Sequence, residues 1–292
     1  MCALKTTKIG LIGLGLMGKP MARNLRNSGA NVIVFNRSLP ALKELESEGF
    51  TTAHSPAEVA SKVEMVICMV SNTPAVESVL LGDSGVVHGI REGSIVIDMG
   101  TTEVQATRGF AKIFNQESVG YVDAPVSGGE IGAIDGTLSI MVGASESDMK
   151  RVEPVLNALG KQVTHIGEIG CGQIAKAANQ IIVGLTIGAV SEAFALAQHG
   201  GANLEQVWKA LSGGFAGSRI LEVHGRRMIE DNFRPGGTAT TQKKDLNQAL
   251  DFASAIGIDL PSTQLCHDLY DNLVQRGEGG LDHSALFRLY SK

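Results

Sequence analysis

The chain has 292 residues, a formal net charge of −5 and 36 glycines, with few aromatic side chains. This length suits one large domain or two ordinary ones, and the acidic balance argues against a nucleic-acid-binding surface. The four cysteines form no CxxC pair and the seven histidines lack metal-ligand spacing, so we expect neither a disulfide framework nor a metal site. The opening residues lack a signal-peptide pattern and no run looks long enough to span a membrane, so we expect a soluble, cytoplasmic protein.

Strand-like and helix-like segments alternate in the first half of the chain. Helical patterns cover residues 16–29, which end at a glycine, and residues 40–49, which begin at a proline. Such alternation predicts crossover connections and a mainly parallel sheet that is covered on both faces. Short runs rich in valine and isoleucine predict the buried strands, at residues 8–13, 31–36, 63–70, 93–100, 120–126, 136–143 and 162–167.

After Gly170 the pattern becomes helical, beginning with one long apolar run over residues 173–199. A helix that is apolar on several faces is usually buried, so we expect it to lie in a subunit interface of a homodimer or homotetramer. The predicted fold is a doubly wound, Rossmann-type α/β domain over residues 1–165. An all-α domain over residues 166–292 follows, joined to the first by the long helix.

Three glycines follow the first predicted strand in GxGxxG spacing, in the segment GLGLMG. Gly13 permits a tight turn, Gly15 lets the backbone approach a pyrophosphate, and Gly18 lets helix and strand pack closely. The N–H groups at the start of the next helix can bind phosphate oxygens. The motif is weak alone, but its position between a strand and a helix predicts a dinucleotide site that includes Leu14, Leu16 and Met17.

The end of the second strand indicates which dinucleotide binds. An acidic residue there would bind the ribose 2′-OH of NAD, but this chain has Asn36. Arg37 and Ser38 follow and can bind a 2′-phosphate. We therefore predict NADP(H) as the preferred cofactor and NAD as a weaker one. Met69 and Val70, at the end of the third long strand, complete the predicted contacts on this domain.

The segment DAPVSGG follows a later strand, at the sheet edge where α/β proteins bind ligands. Gly128 and Gly129 can expose consecutive N–H groups, and Ser127 adds a hydroxyl donor. Together they predict a cradle for a small carboxylate. An ordinary flexible strand exit would have the same composition.

A lysine and an asparagine lie near the start of the long apolar helix, in GCGQIAKAANQ. Residues three or four apart share a helix face, so Gly172, Lys176 and Asn179 form one stripe. We expect Gly172 to let a ring or substrate approach. Lys176 can stabilise a developing alkoxide and donate a proton to it, as carbonyl reduction requires, with Asn179 orienting the substrate. A lysine whose charged end reaches solvent is the alternative interpretation.

In this order, GLIGLGLMGKPMARNL, DAPVSGG, GCGQIAKAANQ and KKDL resemble the motifs of the β-hydroxyacid dehydrogenase family along essentially the whole chain. The segments GGEIGAIDGTLSIMVG and DHSAL look most like the tartronate semialdehyde reductase branch. The resemblance implies a catalytic role for Lys176, substrate contacts from Ser127, Gly128, Gly129 and Asn179, and cofactor contacts from Thr101 and Lys244.

Two features depart from the family pattern. The acid after the second strand is absent, and PGGTATTQ before KKDL differs from what that branch leads us to expect. Reductases of glyoxylate or succinic semialdehyde and 3-hydroxyisobutyrate-type dehydrogenases therefore remain alternatives. Imine reductases and a non-catalytic NADP-binding scaffold are the other candidates, and Lys176 argues against both.

Overall fold

The computed structural model describes residues 4–290, and its elements follow the order that the sequence pattern predicts. The strands are β1 Lys8–Ile12, β2 Asn31–Phe35, β3 Thr51–Thr52, β4 Met65–Cys68, β5 Ile95–Asp98, β6 Gly120–Asp123, β7 Val126–Ser127, β8 Leu138–Gly143 and β9 Gly160–Gly167. The helices are α1 Gly18–Asn27, α2 Leu39–Ser47, α3 Pro56–Lys62, α4 Thr73–Leu81, α5 Val104–Gln116, α6 Gly129–Asp135, α7 Glu146–Asn157, α8 Cys171–His199, α9 Leu204–Ser212, α10 Arg226–Ile229, α11 Ala239–Ala255 and α12 Pro261–Leu273. Short 3₁₀ or π segments lie at Val86–His88, Leu221–Gly225, Val274–Glu278 and His283–Leu289.

The strands form one mainly parallel sheet in the order β3-β2-β1-β4-β5-β6-β8-β7, with β9 paired to β8. Pairing is parallel from β3 through β6, whereas β8 runs antiparallel to β6 and β7. Strand β1 lies between β2 and β4, so the loops that follow these three strands meet at one edge. Ligands of open α/β sheets bind at this carboxyl edge.

Both faces of the sheet are covered by apolar side chains. On β1, Leu11 packs into a cluster with Met21 and Leu25 of α1, whereas the next residue, Ile12, packs into a second cluster that includes Val59 of α3. This alternation follows from the two-residue repeat of a strand. It confirms the predicted doubly wound α/β architecture.

Local capping positions several helices on the sheet. The side chains of Ser55, Asn72 and Ser145 each accept a hydrogen bond from a backbone N–H in the first turn of α3, α4 and α7, respectively. Such caps typically stabilise a helix by about 1 kcal/mol. They fix where each helix begins after its strand or loop.

The described chain divides into two compact units between Lys176 and Ala177. The second unit is helical, as predicted, and has its own apolar core. That core packs around large buried side chains of α8, α11, α12 and the C-terminal 3₁₀ segment, among them Phe194, Leu246, Tyr270 and Leu286.

Helix α8 runs for 29 residues and begins in the first unit. Its most apolar 18-residue window has a mean hydropathy of 1.7, and 39% of that window is buried. By length and composition it could cross a membrane, which corrects our expectation that no stretch could. The core helix of a soluble protein meets the same criterion. Two large apolar side chains of α8, Ile182 and Leu196, are 65% and 79% exposed. Burial of such side chains in a homo-oligomer interface remains a prediction.

Candidate active site

The three glycines of the loop after β1 have different surroundings. Gly13 has a φ of +101°, and a Cβ placed on it would lie 2.2 Å from the carbonyl oxygen of Met69. A Cβ on Gly18 would lie 1.8 Å from the carbonyl oxygen of Gly13. A Cβ on Gly15 would meet no protein atom within 4 Å. Gly13 and Gly18 thus allow close packing, while the space at Gly15 fits the approach of a dinucleotide pyrophosphate.

Asn36, which follows β2, connects two loops. Its Oδ1 accepts a hydrogen bond of 2.9 Å from the N–H of Leu14, and its Nδ2 donates to Oγ of Ser38 at 2.8 Å. Arg37 and Ser38 are exposed. The asparagine therefore stabilises the glycine-rich loop where other dinucleotide-binding proteins carry an acid, and the neighbouring guanidinium introduces positive charge at this edge.

The other predicted cofactor residues of the first unit follow β1, β4 or β5. Leu14 is buried, Leu16 is 53% exposed, and Met17 immediately precedes α1. Met69 and Val70 follow β4 and are half-buried, as is Thr101 in the loop after β5. These side chains therefore come from neighbouring loops at the carboxyl edge. Lys244 is on α11 in the second unit.

Lys176 is buried rather than extended into solvent, with only 8% of its surface exposed. Its Nζ donates a hydrogen bond of 2.8 Å to the carbonyl oxygen of Val126. Val126 directly precedes Ser127, and the glycines that follow have φ angles of +136° at Gly128 and +61° at Gly129. The first unit thus brings the lysine ammonium group to the strand that leads into the predicted carboxylate cradle.

The expectation for Gly172 is wrong. A Cβ on this residue would lie 2.5 Å from the carbonyl oxygen of Met141 and 2.6 Å from that of Asp123. Protein backbone therefore fills the space that we had assigned to a ring or substrate. Gly172 instead lets the start of α8 pack closely on β6 and β8.

Two buried carboxylates escaped the sequence reasoning, although each ends a strand. Asp98 accepts hydrogen bonds from Oγ1 of Thr102 at 2.6 Å and the N–H of Gly100 at 3.0 Å. Asp123 accepts from the N–H groups of Gly170 at 2.7 Å and Gln173 at 2.9 Å. Burial raises the pKa of Asp98 to about 7 and that of Asp123 to about 6, because hydrogen bonding only partly offsets the loss of hydration.

In the second unit, Asn179 and Lys244 belong to one polar network. Nδ2 of Asn179 donates to Oε1 of Gln180 at 2.7 Å, and Nε2 of Gln180 donates to Oδ2 of Asp245 at 2.6 Å. Nζ of Lys244 lies 2.8 Å from Oδ1 of Asp245. Gln180 and Asp245 are both buried, and the sequence analysis did not identify them as members of this network. Lys243, the neighbour of Lys244, forms an ion pair with Asp271 instead.

His224, Asp282 and His283 offer three potential metal ligands within 4.8 Å of one another. Burial alone would raise the pKa of Asp282, but the His224 imidazole and other donors hold it well below its usual range. Oδ2 of this carboxylate lies 3.0 Å from Nη1 of Arg227, and Oδ1 accepts a 2.6 Å hydrogen bond from Oγ of Ser284. Both oxygens thus have protein donors and Asp282 forms an ion pair with Arg227, while the expected absence of a metal site stays a prediction.

Comparisons with known proteins agree with this architecture. A family model described as the NAD binding domain of 6-phosphogluconate dehydrogenase matches residues 8–167. A second, described as NAD-binding of NADP-dependent 3-hydroxyisobutyrate dehydrogenase, matches residues 170–290. The sequence is 46% identical over 279 residues to the 2-hydroxy-3-oxopropionate reductase of Escherichia coli, covering 96% of this chain and 95% of the relative.

Solved structures give the same result. The structure is similar to 3-hydroxyisobutyrate dehydrogenase from Mycobacterium tuberculosis, with a TM-score of 0.90, 28% identity and coverage of 98% of this chain and 100% of that one. The enzyme of the same name from Salmonella typhimurium gives a TM-score of 0.89 at 28% identity, covering 97% and 99%. The chain therefore belongs to the β-hydroxyacid dehydrogenase family, among the 3-hydroxyisobutyrate dehydrogenase-like proteins, and is an NAD(P)-dependent oxidoreductase.

Proposed function

We propose that this enzyme is an NADPH-preferring reductase of a short carboxylated aldehyde, with tartronate semialdehyde (2-hydroxy-3-oxopropionate) reduced to glycerate. The name of the Escherichia coli relative supports this substrate. Asn36 and the exposed Arg37 support the cofactor preference. The observation that carries the proposal is the buried Lys176, whose ammonium group is hydrogen-bonded beside the predicted carboxylate cradle.

Lys176 has two roles in the proposed reaction, which are to stabilise negative charge and to donate a proton. Bound NADPH would supply the hydride to the aldehyde carbon. As negative charge develops on the aldehyde oxygen, the ammonium group of Lys176 stabilises it and then donates a proton from Nζ to that oxygen. The hydrogen bond to Val126 restricts the long side chain, so little conformational entropy remains to be lost when the substrate binds.

The remaining residues hold substrate and cofactor in the proposed complex. The hydroxyl of Ser127 and the N–H groups of Gly128 and Gly129 bind the substrate carboxylate, and Asn179 orients the reacting carbonyl. Thr101 and Lys244 contact the cofactor, together with the glycine-rich loop and the residues after β2 and β4. A carboxylate requirement follows, because the N–H and hydroxyl donors of the cradle would otherwise lose their anionic partner.

A substrate panel tests the proposal. Oxidation of NADPH and of NADH is followed with tartronate semialdehyde, glyoxylate, succinic semialdehyde and an uncharged aldehyde of similar size. We expect kcat/KM to be highest for tartronate semialdehyde with NADPH and very low for the uncharged aldehyde. Lys176→Ala should lower kcat by about 100-fold or more, whereas Lys150→Ala, at an exposed lysine of α7, serves as the control.

The panel also separates the alternatives. If the enzyme prefers glyoxylate or succinic semialdehyde, the proposed hydride transfer and the role of Lys176 stand, and the proposed substrate is wrong. Tight NADPH binding without reduction of any aldehyde would favour the non-catalytic scaffold and contradict the proposed reaction.

A further inference from the structure

Gln173 is buried on the first turn of α8, three residues before Lys176, and only 2% of its surface is exposed. Its Oε1 accepts a hydrogen bond of 3.1 Å from the N–H of Thr102. Its Nε2 donates a hydrogen bond of 3.0 Å to the carbonyl oxygen of Gly100. The amide therefore binds the backbone on both sides of Thr101, and it uses a donor and an acceptor to do so.

The segment that Gln173 binds is part of the edge that carries the glycine-rich loop. A Cβ on Gly100 would lie 2.8 Å from the carbonyl oxygen of Val70, and one on Gly13 would lie 2.2 Å from that of Met69. The loops after β1, β4 and β5 thus pack backbone against backbone. A shift in the loop after β5 would disturb the other two loops, because these contacts leave little free space.

The start of α8 is fixed to the sheet at a different point. Asp123, at the end of β6, accepts hydrogen bonds from the N–H groups of Gly170 and Gln173. Lys176 reaches Val126 of β7. These contacts hold the start of α8 to β6 and β7, next to the predicted carboxylate cradle. The Gln173 side chain instead connects α8 to the loop that carries Thr101.

We propose that Gln173 is a positioning residue that fixes the Thr101 loop relative to Lys176 and thereby shapes the cofactor site. The link to Lys176 rests on the proposed function. The effect of Gln173 on the cofactor site rests only on the position of the Thr101 loop at the carboxyl edge of the sheet. Measurements of cofactor binding therefore test this effect without any turnover of substrate.

Two substitutions separate hydrogen bonding from side-chain volume. Gln173→Met keeps the length of the side chain and removes both hydrogen bonds. Gln173→Glu keeps both only while the carboxyl group is protonated, because an ionised carboxylate would face the carbonyl oxygen of Gly100. Burial raises the pKa of a carboxyl group, so the glutamate should be protonated under mildly acidic conditions. Gln116→Met, at the exposed end of α5, is the matched control.

The dissociation constant for NADPH is measured by fluorescence titration at pH 5.5 and pH 8, with circular dichroism to establish folding. Wild type is titrated at both values, because Asp98 and Asp123 also ionise in this range. We expect Gln173→Met to weaken binding about tenfold at both pH values, since two buried polar groups lose their partners. Gln173→Glu should be weakened similarly at pH 8 and recover to within about threefold of wild type at pH 5.5.

Unchanged NADPH affinity in the folded methionine variant would overturn the proposal, as would a glutamate variant whose affinity is weakened equally, relative to wild type, at both pH values. If the methionine variant does not fold, the comparison of the glutamate variant with wild type decides. Wild type that binds NADPH but reduces no aldehyde would refute the proposed function and leave this test intact.

Discussion

Asp98→Asn should change how the stability of the enzyme depends on pH. Asp98 is fully buried at the end of β5, and burial raises its pKa from 3.8 to about 7. Its native state therefore holds a proton that the unfolded chain releases above about pH 4. The stabilisation from this group is complete below pH 4, falls as the pH rises towards 7, and is absent above that.

The size of the effect follows from the shift in pKa. One pKa unit corresponds to about 1.4 kcal/mol, so roughly three units give up to about 4 kcal/mol between pH 4 and pH 7. An asparagine stays neutral throughout this range. Its Oδ1 can accept from the N–H of Gly100, and its Nδ2 can donate to Oγ1 of Thr102, which reverses that hydrogen bond. The variant should therefore gain stability relative to wild type as the pH rises.

The assay is thermal unfolding of both proteins at half-unit steps from pH 4.5 to pH 7.5. We expect the melting temperature of Asp98→Asn minus that of wild type to increase steadily over this range. Asp135→Asn, at an exposed carboxyl group of α6, controls for the loss of a surface charge. A difference that stays constant with pH, or that decreases, would refute the reasoning about Asp98.

Two further substitutions test the cofactor preference and the packing of α8. Arg37→Ala should weaken NADPH binding by roughly 10- to 100-fold through loss of a charge-assisted contact and change NADH binding little; equal losses for both cofactors in titrations would contradict a 2′-phosphate contact. Gly172→Ala should destabilise the protein by about 1–3 kcal/mol, because its Cβ would lie within 2.6 Å of two backbone oxygens. Gly109→Ala, on α5 with no atom within 4 Å of the added Cβ, should be neutral or slightly stabilising in the same denaturant titration.

Local patterns in the sequence were sufficient to predict the fold, and they pointed to several residues of the proposed site. Turn chemistry pointed to Gly13 and Gly18, which the loop geometry requires to be glycine. Lys176 attracted attention because it lies on an otherwise apolar helix. A lysine is rarely buried there unless its charged group has a specific partner. The periodicities of helices and strands predicted the α/β region and the helical region. Each periodicity repeats within a few residues, so it can be read from a short stretch of sequence.

Contacts between distant segments limited the prediction. Gln173 binds Thr102 across 71 positions of sequence, and Asp123 binds Gly170 across 47. No local pattern distinguishes such a glutamine or aspartate from a solvated one. Gly172 was misinterpreted for the same reason, because the strands that pack against it precede it by tens of residues in the sequence.

The most direct test of the account is the rate of hydride transfer in Lys176→Met, measured in a single turnover with NADPH and tartronate semialdehyde at saturating concentrations. The variant keeps the apolar stem of the side chain and removes the ammonium group. We expect the rate to fall by about 100- to 10,000-fold, while the dissociation constant for NADPH stays within about threefold of wild type. A rate close to that of wild type would show that Lys176 is not the general acid and would contradict the account's central claim.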